Sequence, residues 1–482
     1  MIGRRSHLNR AAKGEKVRRM RANALAWKRL CCVPRAAWPL GTGAAFAPRV
    51  SQRDHGGDLT AMSIGPVELH SLPHAVFLQR AARAPHGKAV ESRLGQGAFL
   101  VLRLIDLLAP SREPVDPDAF SYQRAATERF CHDLRVTSTE GSHLEGLVSS
   151  VAAAQREGDV RLLAPALLAY AHYLENGLRL PEALDVLGTL RQLGADRIAS
   201  ADIVAVALRT GRVYRKLNRF DDAEQAYEAA AAAALSAGDH HSELLSRIGR
   251  ASTVFGRGNL PEAERRLVGI LTDAQEAGDE SAEAMVEHSL AAVLQHRGSP
   301  DAALRHAWRA YELYDDEEER LRALADVGLM LLMLGDAQGA ERALAQVVRR
   351  GASGDMVANA LVELMHAASY RRDQVAFARW RGQCERKLAD MPPNIQADYY
   401  LKLGIGEARF GHFGRARSTL DRALATAEEA GIHAAVFKIE RIRNGLTALE
   451  EAEVATSLED GEPIVQSEAV REVSAAVALI AT

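Results

Sequence analysis

Apolar and small residues recur along this chain in blocks of roughly 40 residues, and each block holds an alanine at a fixed place. We call these alanines the anchors; they are Ala183, Ala223, Ala263, Ala303, Ala340, Ala376 and Ala416. Apolar residues follow most anchors at four and seven positions, which is the spacing of one face of a helix. Turn-forming residues are common five positions before the anchors. The pattern predicts a helix, a turn and a second helix in every block.

A small residue, Ala or Gly, also lies twelve positions before six of the seven anchors. Two helices whose axes cross at the usual ~8–10 Å leave little room at the crossing, so small side chains are favoured there. Acidic residues or proline just before several anchors suit the first turn of a helix. We therefore expect stacked helical hairpins, with a small residue and an anchor at each crossing.

The block with the fullest pattern contains Gly211, Tyr214, Ala223, Tyr227 and Ala230. In these residues and their spacing the repeat resembles the tetratricopeptide repeat (TPR) family, whose unit is a pair of helices. The resemblance covers roughly residues 160–430. It implies an all-α fold, an α-solenoid in which antiparallel helix pairs form a right-handed superhelix.

Two features depart from the family pattern. The blocks repeat at roughly 40 residues rather than the ~34 of the family, so the second helix of each pair is expected to be longer. Such long units resemble the repeat arrays of bacterial signal-responsive regulators. The block around Ala376 departs further, because Leu364, Trp380 and Gln383 stand where other residue types are expected.

The rest of the chain is divided around this array. We expect the seven helix pairs over residues 159–431, preceded by a degenerate repeat or cap over 116–158 and a helical segment over 62–115. A capping helix is expected over residues 432–453, because a repeat array needs a polar end face. Residues 454–482 are expected to be a linker followed by a short amphipathic tail helix.

The tail helix is predicted from Val470, Val473, Val477 and Ile480, which share one helix face, with Ser467 as the N-cap. An isolated helix of this length is marginal in water. Three alternatives stay open: a frayed tail, docking on the end of the array beyond the capping helix, or occupation of the groove as a plug.

Charge is unevenly distributed. Residues 1–61 carry thirteen Lys and Arg against three Asp and Glu, whereas the whole chain has a net charge of −3. The body is therefore acidic, which argues against nucleic acid as its main partner. We expect residues 1–61 to be disordered, or untranslated if synthesis begins at Met62; a nucleic-acid-binding arm is the alternative.

The sequence gives little sign of catalytic or metal chemistry. Of its four cysteines no two form a C-x-x-C pair, which favours a reducing cytoplasm without a disulfide framework or zinc site. Cys131, His132 and Asp133 are adjacent, so on a helix their side chains diverge by about 100° per residue. His288 and His296 are about 12 Å apart along a helix, too far for one metal ion. We expect no enzyme activity, cofactor or metal, and no membrane segment.

The resemblance implies a concave groove lined by the first helix of each pair. The groove positions are eleven, eight and seven residues before the anchor. Candidates for binding at these positions are His172, Glu175, Asn176, Arg212, Arg215, Lys216, Phe255, Gln295, His296, Leu332 and Met333.

Arg212, Arg215 and Lys216 form a basic spot that we expect to face solvent, and apolar groove residues follow it along the chain. Such a groove suits a protein segment or peptide that is acidic or has a free C-terminal carboxylate; the alternative is that the three cations only face water. The leading interpretation is a non-enzymatic binding scaffold. The other is a regulator, responsive to a ligand or signal peptide, whose array changes curvature on binding.

Overall fold

The computed structural model of the protein describes residues 72–83, 89–109, 116–194, 196–351, 354–455 and 467–480. These residues form twenty α-helices and two short 3-10 helices, and none of them lies in a β-strand. The predicted all-α fold of repeated helix pairs is confirmed. The basic segment 1–61, with Cys31 and Cys32, lies outside the described residues.

The chain divides into two compact units, and the division falls between Thr253 and Val254. We call residues 72–253 the N-terminal unit and residues 254–480 the C-terminal unit. The helices that begin in the N-terminal unit are α1 (Ala75–Arg83), α2 (Ala89–Asp106), α3 (Pro117–Arg135), α4 (Thr139–Glu157), α5 (Ala164–Asn176), α6 (Leu180–Gln192), α7 (Ser200–Lys216), α8 (Phe220–Ser236) and α9 (His240–Gly256). A 3-10 helix, Val160–Leu163, precedes α5.

The helices of the C-terminal unit are α10 (Leu260–Glu276), α11 (Glu280–His296), α12 (Pro300–Leu313), α13 (Glu317–Met333), α14 (Ala337–Arg349), α15 (Gly354–Tyr370), α16 (Gln374–Lys387), α17 (Pro393–Arg409), α18 (Phe413–Glu429), α19 (His433–Ala455) and α20 (Glu468–Ile480). The second 3-10 helix is Leu388–Asp390.

Consecutive helices pack as antiparallel pairs joined by short turns. In the N-terminal unit these are α3 with α4, α5 with α6, and α7 with α8. In the C-terminal unit they are α11 with α12, α13 with α14, α15 with α16, and α17 with α18. Helices α9 and α10 carry the third block of the repeat, and α19 packs on α18.

The glycine twelve positions before an anchor makes room for the side chain four positions after it. A Cβ atom added to Gly211 in α7 would lie 3.0 Å from the ring of Tyr227 in α8, closer than side chains normally approach. The anchor between them, Ala223, is fully buried. The same relation holds between Gly328 and Leu344 and between Gly404 and Leu420. The predicted crossings are therefore present, and the small residue accommodates the neighbouring helix's larger side chain.

The turn inside each pair uses a left-handed backbone conformation five positions before the anchor. The dihedral φ is +85° at Gly258 and +80° at Gly298, a region that glycine enters without steric cost. Asn218 and Leu178 adopt the same conformation, with φ of +58° and +57°. The turn geometry is thus fixed by the repeat even where glycine is missing.

The predicted anchor of the sixth pair, Ala376, is wrong by one position. In this pair the residue with positive φ is Arg372, and Asp373 is the N-cap of α16. The backbone N–H that bonds back to the N-cap carbonyl belongs to Phe377, as it does to the anchor alanine in the other pairs. Ala376 is also 7% exposed, whereas the other six anchors are fully buried. Phe377 occupies the anchor position, and Gly406 of α17 gives space to its ring.

The helices before the array are tied to its first pair by buried ionic groups. Glu140 at the start of α4 is 1% exposed and accepts hydrogen bonds from Arg80, Tyr170 and Arg179 at 2.8–2.9 Å. These partners lie on α1, on α5 and in the turn before α6. Helices α1 and α4 are therefore fixed on the first pair.

The tail helix α20 has a docking place that none of the three alternatives named. Its backbone packs against α12 and α14, the second helices of the fourth and fifth pairs. Val470, Val473 and Val477 are buried in the core of the C-terminal unit. The predicted N-cap is confirmed, because the Val470 N–H donates to Ser467 Oγ at 3.3 Å. The tail is neither at the end of the array nor among the first helices.

Candidate functional site

In the N-terminal unit the predicted groove residues form a closed ionic cluster rather than an open basic spot. Glu175 on α5 is fully buried. Its Oε1 lies 2.7 Å from Arg212 Nε and 2.7 Å from Lys216 Nζ, both on α7. Its Oε2 accepts a hydrogen bond from Arg209 Nη1 at 2.5 Å. One carboxylate thus binds three cations across two consecutive helix pairs; we call these four residues the Glu175 cluster.

Burial and nearby charges shift the pKa values of Glu175 and Lys216 in the cluster and of His172 beside it. Burial by itself raises the pKa of Glu175, but the three cations outweigh it and hold that pKa well below its usual range. Burial lowers the pKa of Lys216 to about 8, although Glu175 opposes the shift. Burial, and next the charge of Arg209, lowers the pKa of His172 to about 3. His172 is therefore neutral at pH 7 and accepts a hydrogen bond from Arg209 Nη1 at 2.7 Å.

The expectation that Arg212 faces solvent is wrong. Arg212 is 8% exposed as a residue, and the side chain of Lys216 is 10% exposed. Both contact the carboxylate of Glu175, another residue at a predicted groove position. Asn176 is exposed and its amide lies 3.2 Å from His172 Nε2, while Arg215 is half-buried.

The C-terminal unit brings its predicted groove residues together across consecutive pairs. The ring of Phe255 in α9 meets the ring of His296 in α11 edge to face, at 5.1 Å between centroids. Gln295 Nε2 lies 3.5 Å from Met333 Sδ in α13. Leu332 is buried, whereas Met333 is 52% exposed. In both contacts the residue eight before one anchor meets the residue seven before the next anchor. These side chains form a mixed apolar and polar strip, which we call the Phe255–Met333 strip.

Sequence reasoning selected no residues at the predicted groove positions of the sixth and seventh pairs. With Phe377 as the anchor, the groove positions of the sixth pair are His366, Ser369 and Tyr370, and Arg409 holds such a position in the seventh. The structure brings them together, since Arg409 Nη1 donates to Ser369 Oγ at 2.8 Å. The correct anchor was needed to select His366 and Tyr370, whereas Ser369 and Arg409 lie seven residues before the predicted anchors Ala376 and Ala416. Arg209 was missed because it lies fourteen residues before the anchor, three positions outside the chosen set and one helical turn before Arg212.

The residues considered for catalysis do not converge. Cys131 is fully buried, and burial raises its pKa to about 12. His132 and Asp133 point away from it and pair with Glu145 and Arg93 on the surface. His288 Nε2 lies 2.8 Å from Asp326 Oδ2, and His296 contacts Phe255 instead.

Two further features of the described part of the chain concern metal ions and membranes. Its His, Cys, Asp and Glu side chains form no group of three that could hold a metal ion. None of its helices combines the length and the hydropathy that crossing a bilayer requires.

Comparison with known proteins gives likenesses of fold alone. No protein-family model matches the chain, and no curated protein matches it. The apo form of the quorum sensor NprR from B. thuringiensis is 12% identical, with a TM-score of 0.47, covering 80% of this chain and 98% of that one. The Rap conjugation gene regulator of plasmid pLS20, in complex with the Phr* peptide, is 12% identical with a TM-score of 0.43, covering 76% and 99%.

Shorter TPR proteins match a smaller part of the chain. The TPR-like repeats of a kinesin light chain from Podosopora anserina are 17% identical, with a TM-score of 0.33, covering 38% of this chain and 94% of that one. The chain thus resembles TPR-type helical arrays, among them bacterial ones.

Proposed function

We propose that this chain is a non-enzymatic, cytoplasmic scaffold that binds a peptide or protein segment on the first helices of its repeat. The observation that carries the proposal is the Phe255–Met333 strip. Side chains at predicted groove positions of three consecutive first helices contact one another there, so the strip runs across the pairs as an extended ligand would.

The chemistry of the strip suits a peptide with apolar side chains. Met333 is exposed on a first helix, and methionine adapts its shape to different apolar partners. Gln295 and His296 beside it are half-buried and carry polar groups that can bind a peptide backbone. The proposed ligand is therefore held by an apolar contact at Met333 and by hydrogen bonds to Gln295 and His296 on the neighbouring first helix.

The finer expectation of an acidic or C-terminal carboxylate group at Arg212, Arg215 and Lys216 also belongs to this proposal. Such a group would have to share Arg212 and Lys216 with Glu175. We therefore expect this group to contribute modestly to binding affinity and the Phe255–Met333 strip to contribute most of it.

The test is selection from a random peptide library displayed on phage, followed by fluorescence anisotropy with the selected peptide. Met333→Asp should weaken binding at least tenfold, because it puts a charge into the apolar contact. The matched control is Val268→Asp on the second helix α10, since Val268 is 51% exposed and Met333 52%. Equal binding by both variants, or a library that selects no peptide, would contradict the proposal.

The selected peptide also distinguishes the two interpretations, a rigid scaffold and a regulator whose array changes curvature. Small-angle X-ray scattering with and without the peptide measures the radius of gyration. An unchanged value favours a rigid scaffold, whereas a change larger than the error favours an array whose curvature responds to its ligand.

A further inference from the structure

A cavity of about 370 Å³ lies between the seventh helix pair and the helix that follows it, inside the C-terminal unit. Its apolar lining comes from α17, α18 and α19 and consists of Ile405, Ala408, Leu420, Ile442 and Leu446. Gly445 also lines it, and a Cβ atom built on this glycine meets no atom within 4 Å. The volume is within the ~300–1,000 Å³ of small-molecule sites. The helices thus leave an apolar space of ligand size.

The polar part of the lining consists of two arginines, Arg372 and Arg409. Arg409 is half-buried, and its Nη1 donates to Ser369 Oγ at 2.8 Å and lies 3.5 Å from His366 Nδ1. Its Cζ lies 3.5 Å from the ring centroid of Tyr370. Among the described residues no carboxylate lies within ion-pair distance of Arg409.

The described neighbours of Arg409 provide no negative charge that would balance its own. Ser369 and Tyr370 are uncharged, and His366 is neutral because burial, and next the charge of Lys402, lowers its pKa to about 2. Taking a cation partly out of water without an anion is unfavourable. A guanidinium binds a carboxylate through two parallel hydrogen bonds, so a carboxylate is the group that best completes this site.

The lining also limits the rest of the ligand. Besides the two arginines, the described residues of the lining are alanine, glycine, leucine and isoleucine, whose side chains offer no partner to the amide groups of a peptide. We propose that the cavity binds a small apolar monocarboxylate, such as a medium-chain fatty acid, with its carboxylate on Arg409 and its chain between Ile405 and Ile442. This site is separate from the peptide contact at Met333 and does not depend on it.

The role of the ligand's carboxylate is tested by isothermal titration calorimetry of the full chain with sodium octanoate and with octan-1-ol. We expect one saturable octanoate site and binding of octan-1-ol at least tenfold weaker. Arg409→Gln should weaken octanoate binding at least tenfold and leave octan-1-ol unchanged, because glutamine keeps polar contacts but loses the charge. The control is Arg415→Gln, whose arginine is 61% exposed on α18 and pairs with Glu407.

The cavity is tested by filling it. Gly445→Leu places a side chain in the open space and should abolish binding of both ligands. Gly414→Leu is the matched control, because it also replaces a helical glycine with open space around its Cβ, at a residue that does not line the cavity. Circular dichroism should show the same helix content for both variants.

Three results would overturn the proposal. One is the absence of saturable octanoate binding, and another is octanoate binding that neither Arg409→Gln nor Gly445→Leu weakens. The third is tighter binding of a leucine-terminated peptide than of octanoate, lost when the peptide is amidated, which would assign the site to a peptide C-terminus. Met333→Asp should leave octanoate binding unchanged, so failure of the peptide proposal is measured separately.

Discussion

Arg212 Nε lies 2.7 Å from Glu175 Oε1, and this contact joins the first helices of two consecutive pairs where both side chains are at most 9% exposed. Removing one partner of a buried ion pair leaves the other charge without compensation, which costs about 3–5 kcal/mol. Glu175→Gln should therefore lower the free energy of unfolding by about that amount. Urea denaturation followed by circular dichroism measures the loss.

The control for this prediction is Glu228→Gln. Glu228 pairs with Arg250 at 3.0 Å, but its side chain is 54% exposed, and exposed pairs contribute about 0–1 kcal/mol. The interpretation of the Glu175 cluster fails if the two variants unfold at the same urea concentration. By the same argument Arg212→Glu should destabilise the fold, contrary to the sequence-based expectation that this position faces solvent.

The corrected anchor of the sixth pair predicts that Phe377 stabilises the array and that Val375, two positions before it, contributes little. Phe377 is 5% exposed and fills the space beside Gly406, so Phe377→Ala should cost about 3–5 kcal/mol. Val375→Ala should cost little, because Val375 is 82% exposed. Thermal melting of the two variants gives the comparison. An equal loss of melting temperature in both variants would contradict the assignment of Phe377 as the anchor.

The turns and the anchors of the repeat show how much of this fold the sequence determines. Helix pairs and turns follow from local spacing, and the relation between Gly211 and Tyr227 keeps the same spacing in other pairs. The sequence predicted the helix pairs, their turns and the small residues at the crossings correctly. It failed at Ala376, where an alanine beside the true anchor fitted the expected residue type better than Phe377 does.

The site was harder to predict because it depends on contacts between helix pairs. Glu175 and Arg212 were both placed at groove positions, yet their spacing along the chain does not show that they touch. Whether a cation faces water or a buried carboxylate depends on how closely neighbouring first helices approach. The cavity beside Arg409 has the same origin, since it lies where α19 does not fill the space against α17 and α18.

His74 predicts a pH dependence of stability for the N-terminal unit. His74 is 5% exposed, and its ring lies 2.5 Å from Asp185 and 3.2 Å from Asp106, which also pairs with Arg103. Burial lowers the pKa of His74, but the hydrogen bonds to Asp106 and Asp185 raise it by more than burial lowers it. The resulting pKa is about 9. An unfolded histidine has a pKa of about 6.5. The charged form is therefore the form that the fold stabilises.

This stabilisation is complete below about pH 6.5, declines as the pH rises, and is lost above about pH 9. His74→Gln should therefore destabilise the protein at pH 6, on the order of 3 kcal/mol, and much less at pH 10. Denaturant unfolding of wild type and variant at both pH values measures the difference, in which the other titrating groups cancel. A difference that is the same at both pH values would contradict the assignment.

The tail helix α20 supplies the last prediction. Val473 is 4% exposed in the core of the C-terminal unit, and a carboxylate there would be buried without a partner. Val473→Asp should therefore lower the melting temperature and release α20 from α12 and α14. Leu479→Asp also places an aspartate on the same helix, at a residue that is 79% exposed, and should leave the melting temperature nearly unchanged.

Because α20 packs on second helices, neither variant should alter peptide binding at the Phe255–Met333 strip. Hydrogen exchange over Val470–Ile480 as fast as in a free peptide would show that the tail is frayed, and stronger peptide binding by Val473→Asp would show that it competes for the strip.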